Sequence, residues 1–89
     1  GRAGGSAQAQ ALGEAVARPV AGDQDLAARY HAVLALGWIS SQEKLGAAAE
    51  PIAQKIDGII AQDRGRTLTA GVNEDALRLA TKLRRAGNP

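Results

Sequence analysis

Residues 23–39 read DQDLAARYHAVLALGWI, and the way this stretch distributes its apolar side chains decides the fold class. Asp23 is a good N-cap residue, and Asp25 follows in the first turn, where the helix dipole favours an acid. Leu26, Tyr30, Val33 and Leu34 then fall at i, i+4, i+7 and i+8, one face of a helix. That stripe predicts the inner face. Leu36 and Ile39 point away from it, with Trp38 between them, so the helix is apolar all round. Such a helix is either central to a bundle or covered by something else, and a small domain leaves the second option open.

Downstream, Ser40-Ser41-Gln42-Glu43 has the Ser-to-Glu spacing of a capping box. Leu45, Ala49, Ile52, Ile56, Ile59 and Asp63 keep a continuous helical phase straight through Pro51. Either one kinked helix or two helices broken before Pro51 would fit. The break is favoured, because proline clashes with the preceding turn but suits a first helical position. Gly65 is placed to end the segment in the left-handed conformation. Residues 66–72 read as loop, since Thr67, Leu68 and Thr69 resemble a strand with no second strand to pair with. Asn73 is then expected to cap a last helix, with Glu74 and Asp75 in its first turn, Lys82, Arg84 and Arg85 in its last, and Gly87 and Pro89 closing it. Its inner face is Ala76, Leu79, Ala80 and Leu83.

Upstream, the opening GRAGGSAQAQ has no large apolar residue to offset the entropy of ordering it. Residues 1–22 are therefore expected to form a mostly flexible arm with a short helix over 6–17, anchored by Leu12 and Val16 and stopped by Pro19. Residues 23–89 form the folded domain. The fold class predicted is all-α, a small bundle of four to five short helices.

Composition sets the scale of the core. Of the apolar residues in this 89-residue chain, twenty are alanines and twenty are larger. Small chains bury a low fraction of their surface, and alanine adds little buried area, so the core is thin and a partner is the natural remedy. Cysteine is absent and His31 is the only histidine, so neither a disulfide framework nor a His or Cys metal cluster is available. The longest stretch without a charged residue, 30–42, is shorter than the roughly 20 residues that span a bilayer. No methionine occurs, and a chain beginning at Gly1 reads as a processed or excised product. Solubility is expected; the compartment is not specified, with the cytoplasm slightly favoured.

Charge is unevenly spread. Residues 1–22 carry a net +1, 23–63 a net −3 and 64–89 a net +4. The basic end either meets an anionic partner or rests against the acidic middle. Arg78, Lys82 and Arg85 form a cationic stripe at i, i+4 and i+7, which Arg64 and Arg66 would join if the loop folds back; phosphate would suit them, and such stripes bind nucleic acid through counterion release. No aromatic residues are interleaved to stack bases. Leu36-Gly37-Trp38 followed by Ser40 partly resembles the turn of a helix-turn-helix, but Glu43 and Gly46 stand where apolar residues belong.

No residue pattern specifies a reaction. Glu74 and Asp75 diverge by about 100° on a helix, Ser40 and Ser41 have no neighbouring base, and the glycines fit no phosphate loop. No cofactor is called for. The expected function is a non-catalytic protein-interaction module whose partner covers Leu36, Trp38, Ile39 and His31, tryptophan being a frequent interface anchor. A small DNA-binding domain is the alternative, and a second copy of the chain also remains open as a partner.

Overall fold

Helical phase and small side chains together produce four α-helices in the computed structural model, which describes residues 2–87. They are α1 (Arg2–Val16), α2 (Asp23–Gln42), α3 (Ala49–Gln62) and α4 (Ala70–Gly87), with a 3-10 turn (Gly46–Ala48) before α3. Among the described residues there is no strand. Gly1, Asn88 and Pro89 lie outside them, and so does the stop expected at Pro89. α3 packs most extensively on α4 and α1 on α2, while α1–α3 and α2–α4 contacts close the bundle.

The helix expected over 6–17 forms as part of α1, and Ala9 and Val16 are completely buried. The segment after it is tied down. Val20 is buried, and the Ala21 N–H donates to Asp25 Oδ2 at 2.8 Å. Two helices touch closely here, because a Cβ on Gly13 would stand 2.9 Å from Ile52 Cγ2. Gly87 plays the same part at the other end, where a Cβ would meet Ala49 Cβ at 2.7 Å and the Gly46 carbonyl oxygen at 3.1 Å.

Several expected boundaries move. Gly22, not Asp23, is the N-cap of α2. α2 runs through Ser40 and Ser41, whose hydroxyls donate to the carbonyls of Gly37 and Trp38 instead of capping a new helix. The turn of a helix-turn-helix is therefore absent at 36–40. A break does precede Pro51, but it lies at the 3-10 turn, and Pro51 occupies the first turn of α3, where its missing N–H has no intrahelical partner to lose. Gly65 takes the left-handed conformation expected of it, with φ of 86°. α4 starts at Ala70, three residues before Asn73, so Asn73 is no cap and the acids Glu74 and Asp75 fall in the second turn.

Asn73 is instead part of a buried polar network. Arg29, 1% exposed, donates from Nη1 to Asp63 Oδ2 at 2.5 Å and to Asn73 Oδ1 at 2.8 Å, and from Nη2 to the Arg18 carbonyl at 2.9 Å. Asn73 Nδ2 in turn donates to Asp63 Oδ2 at 3.3 Å. One guanidinium thus joins α2 to the α1–α2 link, the end of α3 and the first turn of α4. Arg66 approaches Asp63 Oδ1 at 3.4 Å from outside.

These contacts decide how Asp63 titrates. Burial alone would push its carboxyl up, but hydrogen bonds from Arg29 and Asn73, with the charges of Arg29 and Arg66, outweigh it and hold the group below the usual carboxylate range. A carboxyl whose folded pKa is depressed contributes stability above its unfolded value, about 3.9, and loses it as pH falls through the folded one. Urea unfolding at pH 6 and at pH 3 should therefore show a fall in stability at the lower pH. That fall should be smaller in Asp63→Asn, although this variant is less stable at pH 6 because Arg29 loses its counter-charge. Equal falls in the two proteins would contradict the assignment.

Candidate functional site

The rotation of α2 about its own axis determines which side chains reach solvent. Arg29, Ala32, Val33 and Leu36 form its buried face. Leu36 is fully buried in the main core with Ile52, Ile56, Leu79 and Leu83, and Ile39 packs partly buried against the same cluster. The expectation that Leu36 and Ile39 point away from the bundle is thereby corrected. Two of the four residues expected at a partner surface face inward. Tyr30 and Leu34, expected inside, are 44% and 54% exposed, and Trp38 is 65% exposed. The inner face is displaced by about a quarter turn from the one predicted, the angle of one residue step. Arg29 accounts for the rotation: Asp63 and Asn73 draw it inward, and the helix turns with it.

Turned this way, α2 presents Tyr30, Leu34 and Trp38 at i, i+4 and i+8 along its outer side. His31 is exposed beside them, its ring 6.1 Å from that of Tyr30. Between Asp25 and Glu43 the only charged side chain on α2 is Arg29, and it is buried. The outer face therefore has no charge over more than four turns. The other helices differ. α1 carries Glu14, α3 carries Glu50, Lys55 and Asp57, and α4 carries Glu74, Asp75, Arg78, Lys82 and Arg85.

Cations expected to form one anion site are divided. Arg64 and Arg66 sit on the exposed turn after α3, at the rim of an open groove of roughly 660 Å³ between α3 and α4. Ile60, Ala61 and Leu77 supply its apolar lining, but Asp57, Asp63 and Glu74 line it as well, so an anion there meets acids and cations together. Arg78, Lys82 and Arg85 point outward from α4, and Arg78 is engaged by Asp75 at 2.6 Å. Lys82 and Arg85 have no acidic partner among the described residues. Arg84 bonds within the fold, to Asp57 at 2.7 Å and Glu50 at 3.2 Å. For that residue the basic end does rest on the acidic middle. Asp57 first and Glu50 second raise the Arg84 pKa above its ordinary value.

Chemistry is sparsely provided. Among the described residues no three His, Asp or Glu side chains gather as metal ligands, and no helix is long and apolar enough to cross a membrane. The uncharged face of α2 is the most distinctive surface. Its missing signal in the sequence was Arg29 itself, spaced four and seven residues before Val33 and Leu36, with Asp63 at an inward position of α3 to receive it.

Two truncations separate the inner and outer faces. Leu36→Ala should cost about 2–5 kcal/mol through the cavity it leaves. Leu34→Ala should stay within about 0.5 kcal/mol, as exposed substitutions do. Urea midpoints at pH 7 measure both, and a larger loss for Leu34→Ala would reverse the orientation of α2. Comparison of the chain with protein-family models, with curated proteins and with solved structures gave no match.

Proposed function

We propose that this protein is a non-catalytic protein-interaction module, of the regulatory, adaptor or assembly kind, that binds its partner through the outer face of α2. The supporting observation is the outer face of α2 between Asp25 and Glu43, uncharged because Arg29 is buried, on which Tyr30, Leu34 and Trp38 stand 44%, 54% and 65% exposed. Exposed apolar side chains are common singly, but three aligned on successive turns with no charge among them are characteristic of a contact surface. Tyrosine and tryptophan are also the side chains that most often anchor interfaces. His31 lies at the edge of this surface and would feel a partner's approach.

A pull-down from the native source, with the wild-type chain and Leu34→Glu and Trp38→Glu variants as baits, tests the reading. A protein retained by the wild type should be lost by both variants while their helical circular dichroism stays unchanged. Retention by all three baits would remove α2 as the surface.

A second reading rests on Lys82 and Arg85, which are exposed on α4 without acidic partners among the described residues. In it, α4 binds duplex DNA through phosphate contacts. Such binding weakens steeply with salt, so a duplex titrated at 50 mM and 200 mM salt should show a large drop in affinity, reduced further by Arg85→Ala. Absence of binding at the lower salt would dismiss it.

A further inference from the structure

The outer face of α2 is nearly symmetric about Leu34: Tyr30 lies one turn before it and Trp38 one turn after it. Building on the interaction surface proposed above, we infer that its occupant is a second copy of the same chain, packed with the two α2 helices antiparallel and a twofold axis at Leu34. In that arrangement Leu34 meets its own counterpart, and Tyr30 of each copy meets Trp38 of the other. The same patch serves both subunits, which is the isologous interface of a twofold dimer.

Charge favours the second copy and selects the direction. Self-association brings identical charges together, and this face has none between Asp25 and Glu43 except the buried Arg29. A parallel pair would place Asp23, which shares the Leu34 side of the helix, next to its own counterpart, two acids at one end. An antiparallel pair separates the two Asp23 side chains by the length of α2. Opposed helix dipoles favour the same direction.

Area sets the strength. With side chains of about 150–250 Å², the exposed parts of Tyr30, Leu34 and Trp38 amount to roughly 350 Å² per copy. Two copies supply about 700 Å², and flanking Ala27, His31 and Gln42 carry the total toward the low end of specific interfaces, near 1,200 Å². The dimer is therefore weak and exchanging, with monomer and dimer both populated at high micromolar concentration.

Sedimentation velocity from about 10 μM to 1 mM should show the mean mass rising toward the dimer, with Trp38 fluorescence becoming less accessible to iodide over the same range. Leu34→Glu should weaken association at least about tenfold. Because the chain has no cysteine, single cysteines report geometry cleanly. Leu34→Cys should cross-link oxidatively far faster than Gln54→Cys, an exposed α3 control. A mixture of Ala27→Cys and Ser41→Cys proteins should form unlike pairs in preference to like ones, which a parallel pair would reverse. Sedimentation as a monomer throughout, with Leu34→Cys no faster than the control, overturns the dimer. If Leu34→Glu and Trp38→Glu baits still lose a retained protein in that case, only the second copy is wrong; if they lose nothing, the surface falls with it.

Discussion

Everything about the outer surface depends on one buried ion pair, Arg29 with Asp63. Removing each ion from water costs several kcal/mol even after relaxation, and the return depends on how completely the remaining hydrogen-bonding groups are satisfied. Here Asp63 also receives Asn73, and Arg29 also reaches the Arg18 carbonyl, but the Arg29 Nε has no partner. An apolar replacement of the whole pair could be as stable. What the pair supplies is orientation. α2 is apolar all round, so hydrophobicity alone would accept several rotations about its axis. Only one of them lets Arg29 reach Asp63 and Asn73, and any other leaves both charges without their partner.

A thin core is workable because small residues let the helices approach closely. Ala9, Ala32, Ala49, Ala53, Ala76 and Ala80 are all buried between helices, and Gly13 and Gly87 stand where a side chain would collide with a neighbour. Alanine therefore contributes less by its own buried area than by admitting Leu36, Ile52, Ile56, Leu79 and Leu83 to mutual contact. Close packing restores dispersion contacts that the scarcity of large side chains would otherwise forfeit. The radius of gyration, 12.3 Å, matches the roughly 12 Å expected of a compact chain of this length.

Where the apolar and charged residues segregate cleanly, the sequence was a good guide. On α4, Ala76, Leu79, Ala80 and Leu83 go inside and Arg78, Lys82 and Arg85 outside, as their spacing implies. Along Leu45, Ala49, Ile52, Ile56 and Ile59 the continuous phase also holds, and it extends to Asp63. That last position was the clue to a buried counter-charge. On α2 that segregation is lacking: the Leu26, Tyr30, Val33 and Leu34 stripe predicts one face, but a buried Arg29 turns another inward. Local capping patterns failed for a related reason. Ser40 and Asn73 are competent caps in isolation, but the Ser40 hydroxyl bonds back to Gly37 within a continuing helix, and Asn73 is drawn into the Arg29 network. A tertiary partner overrides local preference at Asn73, and the continuation of α2 does so at Ser40.

The orientation imposed by Arg29 also explains why an apolar surface persists instead of being relieved. In a helix free to turn, Tyr30, Leu34 and Trp38 would lower the free energy by rotating toward the bundle. Turning α2 by the quarter turn needed would carry Leu36 toward water and pull Arg29 from Asp63, a loss of about 3–5 kcal/mol for a broken buried pair. Burying the three side chains more fully would gain about 1.5–3 kcal/mol for each if they were wholly exposed at the start, and their partial exposure reduces that gain to a fraction. Leu36, moving outward, would forfeit a full share in return. The balance holds the stripe in solvent, and burial of that stripe is then available only through another protein surface.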